Sequence, residues 1–273
     1  SSIASSVFEE TQMAVEQAAA AGNGADLSQS PYVLKRLGLV AGNDKGDLML
    51  DKVGTRAEAL TLFISMQGEQ DEARAVDYSY PFTDIPDWFH WCAGYGVFRS
   101  YTSGISATKF GSFDTVTPEQ YMTFTLKALD YKCGEDFTWD RSLDKAIEVG
   151  LCTRAQANAW KNGQFRRQEI MEISYLALNT KVKGSNSTLT DKLIAKGKIT
   201  TEQARQESLT FGTAYQAQQE QNNASPITCT NVPDGSYELH SAANNSVMTA
   251  SANKQAMISL AADKDGADQQ FTF

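Results

Sequence analysis

The sequence predicts a mainly α chain that closes on a small all-β segment. Three observations carry this prediction. Gly-rich loops lead into helix starts at three places, apolar stripes at helical spacing follow each start, and after Pro226 the pattern changes to short runs of alternating polarity. With 41% hydrophobic residues in a chain of 273, there is enough apolar surface for a real core, so global disorder is excluded.

Charge and rare residues exclude several functions. Lys and Arg number 24 against 33 Asp and Glu, a net charge of −9, which argues against a general nucleic-acid binder but leaves room for one local basic pocket. His90 and His240 stand far apart, and no H-E-x-x-H or C-x-x-C occurs, so neither a metal site nor a cofactor is expected. No apolar run approaches the roughly 20 residues that span a bilayer, so no transmembrane segment is expected. The chain starts Ser-Ser-Ile-Ala without Met, which fits a mature secreted protein whose signal peptide has gone, or a trimmed chain. Cys92, Cys133, Cys152 and Cys229 fit two disulfides, with three connectivities open, or none, with buried small hydrophobes as the alternative.

The elements follow in order. Residues 1–26 read as an N-terminal helix, with Ser6 and Glu9 at capping-box spacing and Gly22-Asn23-Gly24 as its stop. Residues 27–78, 79–134 and 135–200 read as three related helical units. In the first, Asn43-Asp-Lys-Gly-Asp47 lacks the spacing and terminal Glu of a calcium loop and reads as a turn. Thr55 and Glu58 then form a capping box ahead of Leu60, Phe63 and Ile64. In the second, Thr117 and Gln120 repeat the box, with Pro118 at the first helical position, ahead of Tyr121, Phe124, Leu126 and Leu129. In the third, Arg166 stands at the cap and Glu169 remains, ahead of Ile170, Ile173, Tyr175 and Leu178. Residues 201–226 read as a helix, Glu202 to Gln221, that runs into a polar linker; Leu209, Phe211 and Tyr215 are its candidate anchors. Residues 227–273 carry short strands at Gly235–His240, Val247-Met-Thr-Ala, Met257-Ile-Ser-Leu-Ala and Gln270–Phe273.

Several of these motifs, taken in order, resemble the S-layer homology family. Phe82-Thr-Asp-Ile-Pro-Asp-Trp88 is similar to the opening of its repeat, and Gly54-Thr-Arg-Ala-Glu58 to its closing motif. Ser103-Gly-Ile-Ser-Ala-Thr-Lys-Phe-Gly, and Asp136-Phe-Thr-Trp with Ile173-Ser-Tyr-Leu-Ala-Leu, look like a variant of the same repeat. The resemblance covers roughly residues 28–200. It implies three helical repeats in a pseudo-threefold spindle that hold a protein on the cell wall by binding an anionic secondary wall polysaccharide, in grooves that use the motif arginine. Carried over residue by residue, that arginine is Arg56 in the first repeat and Arg167 in the third, and with the motif carboxylates Glu58 and Glu169 these are the expected ligand-binding residues. In the second repeat Pro118 takes the place, so that groove lacks its cation. A guanidinium beside free N–H groups at a helix start makes an anion site; the alternative for Arg56 is an ion pair within the chain. Asp84 and Trp88 are expected to be architectural, an Asp capping a helix and an aromatic in the core, alongside Thr55, Thr117 and Gln120.

The tail, from Pro233-Asp-Gly-Ser-Tyr to Gln269 and Phe271, resembles one repeat of a ricin-type β-trefoil lectin. A trefoil needs three, and the usual sugar-binding Asp is missing, so sugar binding is not assigned to it. Either the natural protein continues past Phe273, or the piece pairs with neighbouring subunits. The leading functional reading is a non-catalytic bacterial surface protein, secreted and held on the wall. The alternative is a self-assembling S-layer or filament subunit that pairs with itself through its strand edges. An enzyme fragment is the weakest reading, because no Ser or Cys has a His at a recognisable motif spacing. Trp91, Tyr95 and Tyr101 offer faces on which sugars stack, although core placement is expected for most of them.

Overall fold

The structure, a computed structural model, describes residues 26–212 and the backbone of two strands, Gly235–His240 and Val247–Ala252. The chain divides into two units at 213/214, which are taken separately. Of the helix expected over 1–26, all but Asp26 lies outside the described residues, as do the linker, Tyr215 and the last two expected strands.

In the first unit, helices run α1 (Ser30–Arg36), α2 (Arg56–Met66), α3 (Gln70–Ala75), α4 (His90–Phe98), α5 (Pro118–Ala128), α6 (Ser142–Glu148), α7 (Arg154–Asn162), α8 (Arg167–Leu178), α9 (Leu189–Ala195) and α10 (Thr201–Gln206). Three of them start side by side. The extended residues before α2 pair antiparallel with those before α5 (Thr55 with Thr115) and those before α8 (Val53 with Arg166). Arg56 N–H donates to Asp114 O at 2.9 Å, and Arg167 N–H to Lys52 O at 2.8 Å. Gly54 suits this convergence, since a Cβ there would run into the end of the buried Ile170 side chain.

Behind the paired starts, α2 packs on α5 and α5 on α8. Leu60, Phe63, Ile64, Tyr121, Met122, Leu126, Ile170, Ile173 and Leu178 are all buried between them, each large side chain contributing about 1.5–3 kcal/mol of burial free energy. Two members of the expected stripes, Phe124 and Tyr175, are only partly buried. A left-handed residue follows α1, α2, α4, α5 and α6 (Gly38, Gly68, Ser100, Asp130 and Gly150), and the next N–H turns back to a carbonyl five residues earlier. This closure throws Leu39, Glu69, Tyr101, Tyr131 and Leu151 back towards the packed interior.

Three expectations need correction. Trp88 is 51% exposed, and the core position belongs to Phe89. Residues Asp87–Phe89 form one 3-10 turn, whose successive side chains point about 120° apart, so only one of them can face inward. Asp84 caps no helix: it accepts from the N–H groups of Phe110 and Gly111, both at 2.8 Å, and fastens a loop. The helix expected over 202–221 ends at Gln206, because Ser208 turns left-handed (φ 53°) and Leu209 N–H returns to Ala204 O at 2.9 Å. Leu209 is buried and Phe211 packs on the core, but both are anchored from this turn and not from a helix.

Ion pairs draw the last helices onto earlier ones. Arg36 grips Glu207 with two bonds, and Lys198 reaches Asp71 at 2.7 Å. Cys92 and Cys152 are buried and Cys133 is exposed, all three unbridged. Pairing four cysteines into two bridges must join two of these three, so the two-bridge arrangement is absent. Asn43 Oδ1 accepts from the N–H groups of Lys45 and Asp47, which makes 43–47 a turn.

In the second unit, β1 (Gly235–His240) and β2 (Val247–Ala252) pair antiparallel, with Gly235 opposite Ala252 and His240 opposite Val247.

Candidate functional site

The site grows from the first helix start. Thr55 accepts from Glu58 N–H, and Glu58 Oε2 accepts from Thr55 N–H at 3.0 Å, which closes the capping box and sets the first turn of α2. Arg56, at the first helical position, is half-buried. Its Nε donates to Phe110 O at 3.3 Å, and the guanidinium lies 5.2 Å from the Phe110 ring centroid. Phe110 is itself held by Asp84, so Asp84 reaches the site through the loop it fastens. Burial pulls the Arg56 pKa down, and Asp114 opposes that shift. The group stays charged, poorly solvated, and without an ion-pair partner among the described residues.

Arg56 lines a groove of about 550 Å³, within the usual range for ligand pockets. Its far side is α5, which contributes Gln120, Thr123, Phe124 and Lys127 along one face. The loop after α4, Ser100 to Gly104, forms a hydroxyl-rich wall, and Trp139 stands at the rim. Lys127 Nζ lies 5.8 Å from the centroid of Phe124, whose ring stacks on Phe63 at 4.9 Å. Among the described residues of the lining, Arg56 and Lys127 are the charged ones and none is a carboxylate.

The wall loop is pinned from below. Glu69, buried, accepts from Tyr101 Oη at 2.7 Å, Tyr95 Oη at 3.1 Å and Arg99 at 3.3 Å. Burial first, then the Glu69 charge, push the Tyr95 hydroxyl up to about 12, so both phenols stay protonated and keep donating at neutral pH.

The other motif residues are spent differently. Arg167 Nη1 bonds Glu58 Oε1 at 2.6 Å, with side chains 13% and 30% exposed, and its Nε is buried without a partner among the described residues. The ion pair weighed as the alternative for Arg56 is thus found at Arg167, and Glu58 serves both the cap and the pair. Glu169 Oε2 accepts from Arg166 N–H at 2.8 Å and caps α8; Arg166 has no oxygen to return the bond. Thr117 and Gln120 form the reciprocal box of α5.

Lys127, Trp139 and the Ser100–Gly104 wall escape a sequence reading that looks for one motif per repeat. Gln120, Thr123, Phe124 and Lys127 do share a helical face, and that periodicity is the signal that finds them. Tyr95 is buried, while Trp91 and Tyr101 are partly buried against the core. Burial pushes the Cys92 and Cys152 thiols up to about 12, so neither is a thiolate nucleophile at neutral pH. Among the described residues no cluster of His, Cys, Asp and Glu could hold a metal ion, and no helix is long and apolar enough to cross a membrane.

No protein-family model matches the chain. Over 130 residues, 46% of this chain, it is 30% identical to the middle cell wall protein of Brevibacillus brevis, and the match covers 12% of that protein. Over 121 residues, 43% of this chain, it is 30% identical to the surface layer protein of Brevibacillus choshinensis, covering 11% of it. What the chain is similar to is therefore one small part of two longer bacterial proteins, one named for the cell wall and one for the surface layer.

Proposed function

We propose that this chain is a non-catalytic part of a bacterial cell-surface protein, and that it attaches to the wall by seating an anionic secondary wall polysaccharide in the groove at Arg56. The observation that carries the reading is the charge of that groove: two cations, Arg56 and Lys127, with no carboxylate among the described residues of the lining, on a chain of net charge −9. Repulsion from the rest of the surface is screened beyond about 8–10 Å at physiological salt, so a local cationic groove suffices. The names of the two relatives support the location and the structural role. The division into three repeats belongs to the same proposal, supported by the three paired helix starts.

The test is cosedimentation or calorimetry with purified wall polysaccharide. Arg56→Ala is expected to lose about tenfold or more in affinity, the worth of one charge-assisted hydrogen bond, and binding by the unaltered protein is expected to weaken with added salt. Equal affinity of the two proteins removes the groove from the reading.

Self-assembly is the second reading, favoured by the surface layer protein among the relatives. It expects ordered polymers of the purified chain, without polysaccharide, by light scattering or electron microscopy. A monomer at high concentration counts against it.

A further inference from the structure

We infer that Trp139 is a stacking platform for a sugar ring, so that the groove takes a glycan segment in which a pyranose with an open apolar face adjoins the anionic group. This rests on the reading of the groove as the wall-polymer site. Trp139 opens a 3-10 turn, Trp139–Arg141, that packs beside α5. Two residues earlier Phe137 is buried, whereas Trp139 is 59% exposed. An exposed indole alone calls for no explanation, but this one lines the same groove as Arg56 and Lys127.

The groove is therefore divided by chemistry. Arg56 and Lys127 supply charge, Gln120 and Thr123 supply hydrogen-bonding groups, and Trp139 supplies a flat apolar face. Cations alone bind any acid, including free phosphate. An aromatic face at the rim adds selection for a ring whose C–H groups lie on one side.

The experiment uses the full chain with polysaccharide released from Brevibacillus brevis walls, and the same polymer after its carboxylates are reduced to alcohols. Trp139→Ala is expected to lower affinity about fivefold to tenfold for both polymers. Trp139→Phe should retain most of the binding, and the fluorescence change on binding by the unaltered protein should vanish in Trp139→Ala. Arg56→Ala should weaken the native polymer much more than the reduced one. The inference is overturned if Trp139→Ala binds both polymers as tightly as the unaltered protein while Arg56→Ala is impaired, or if its loss is confined to the native polymer. If the unaltered protein binds neither polymer, the groove reading falls and takes this inference with it.

Discussion

The starts of α2 and α8, Thr55-Arg56-Ala57-Glu58 and Arg166-Arg167-Gln168-Glu169, share an arginine followed two residues on by a glutamate, and the two arginines have different surroundings. Arg56 lines a groove whose described residues include no carboxylate. Arg167 is clamped by Glu58, and the Glu169 charge close by is felt by Glu172. The difference arises because α2 starts between its two neighbours: its Glu58 is within reach of the arginine of α8, while at the start of α5 the matching position is Gln120, which lines the same groove as Arg56. On the proposed reading of the groove, the arginine of such a motif serves as an anion site or as a brace according to which side chain the adjoining helix start presents.

The comparison breaks most directly through a paired substitution. Arg56→Ala should cost the tenfold or larger loss of polysaccharide affinity set out above, with little change in thermal stability, because its side chain makes one long hydrogen bond to Phe110 O. Arg167→Ala should do the reverse. Removing one partner of a largely buried ion pair leaves Glu58 uncompensated, at about 2 kcal/mol, or a fall of about 4–8 °C in the unfolding midpoint. Affinity, measured well below that midpoint, should stay within twofold. If Arg167→Ala loses affinity with no loss of stability, Arg167 is a ligand contact and the distinction fails.

What was legible in the sequence was local. Thr55 with Glu58 and Thr117 with Gln120 lie three residues apart, and the caps they predict form as reciprocal hydrogen bonds. The stripes behind them are buried, Phe124 in part, because helical spacing alone determines which residues share a face. The groove is not local. It joins Arg56, the Ser100–Gly104 loop, α5 and Trp139, from stretches whose adjacency depends on how the three helix starts pair. The same limit hid the partner of Arg167, which lies 109 residues away. Trp88 and Phe89 show a finer limit, since adjacent aromatics are equally apolar and the phase of a single 3-10 turn decides which goes inside.

The smallest effect tests the carboxylate crowding at the α8 end. Glu172 is partly buried; its pKa is raised first by burial and further by Glu169, while Gln168 and Trp160 donate to it and oppose the rise. The sign follows from linkage. A carboxyl with a raised folded pKa disfavours the fold where it is ionised, and the penalty disappears where folded and unfolded chains both hold the proton. Glu172→Gln keeps an acceptor and removes the charge. It should therefore raise the unfolding midpoint slightly at neutral pH, with the gain shrinking as pH falls through the raised pKa and vanishing below the ordinary glutamate range. A gain that persists in acid would come from packing, and no gain at neutral pH would mean that the α8 end accommodates its carboxylates without strain. Either result would leave the Glu58 pair as the one observation behind reading Arg167 as a brace, where the crowding of Glu169 and Glu172 otherwise adds a second.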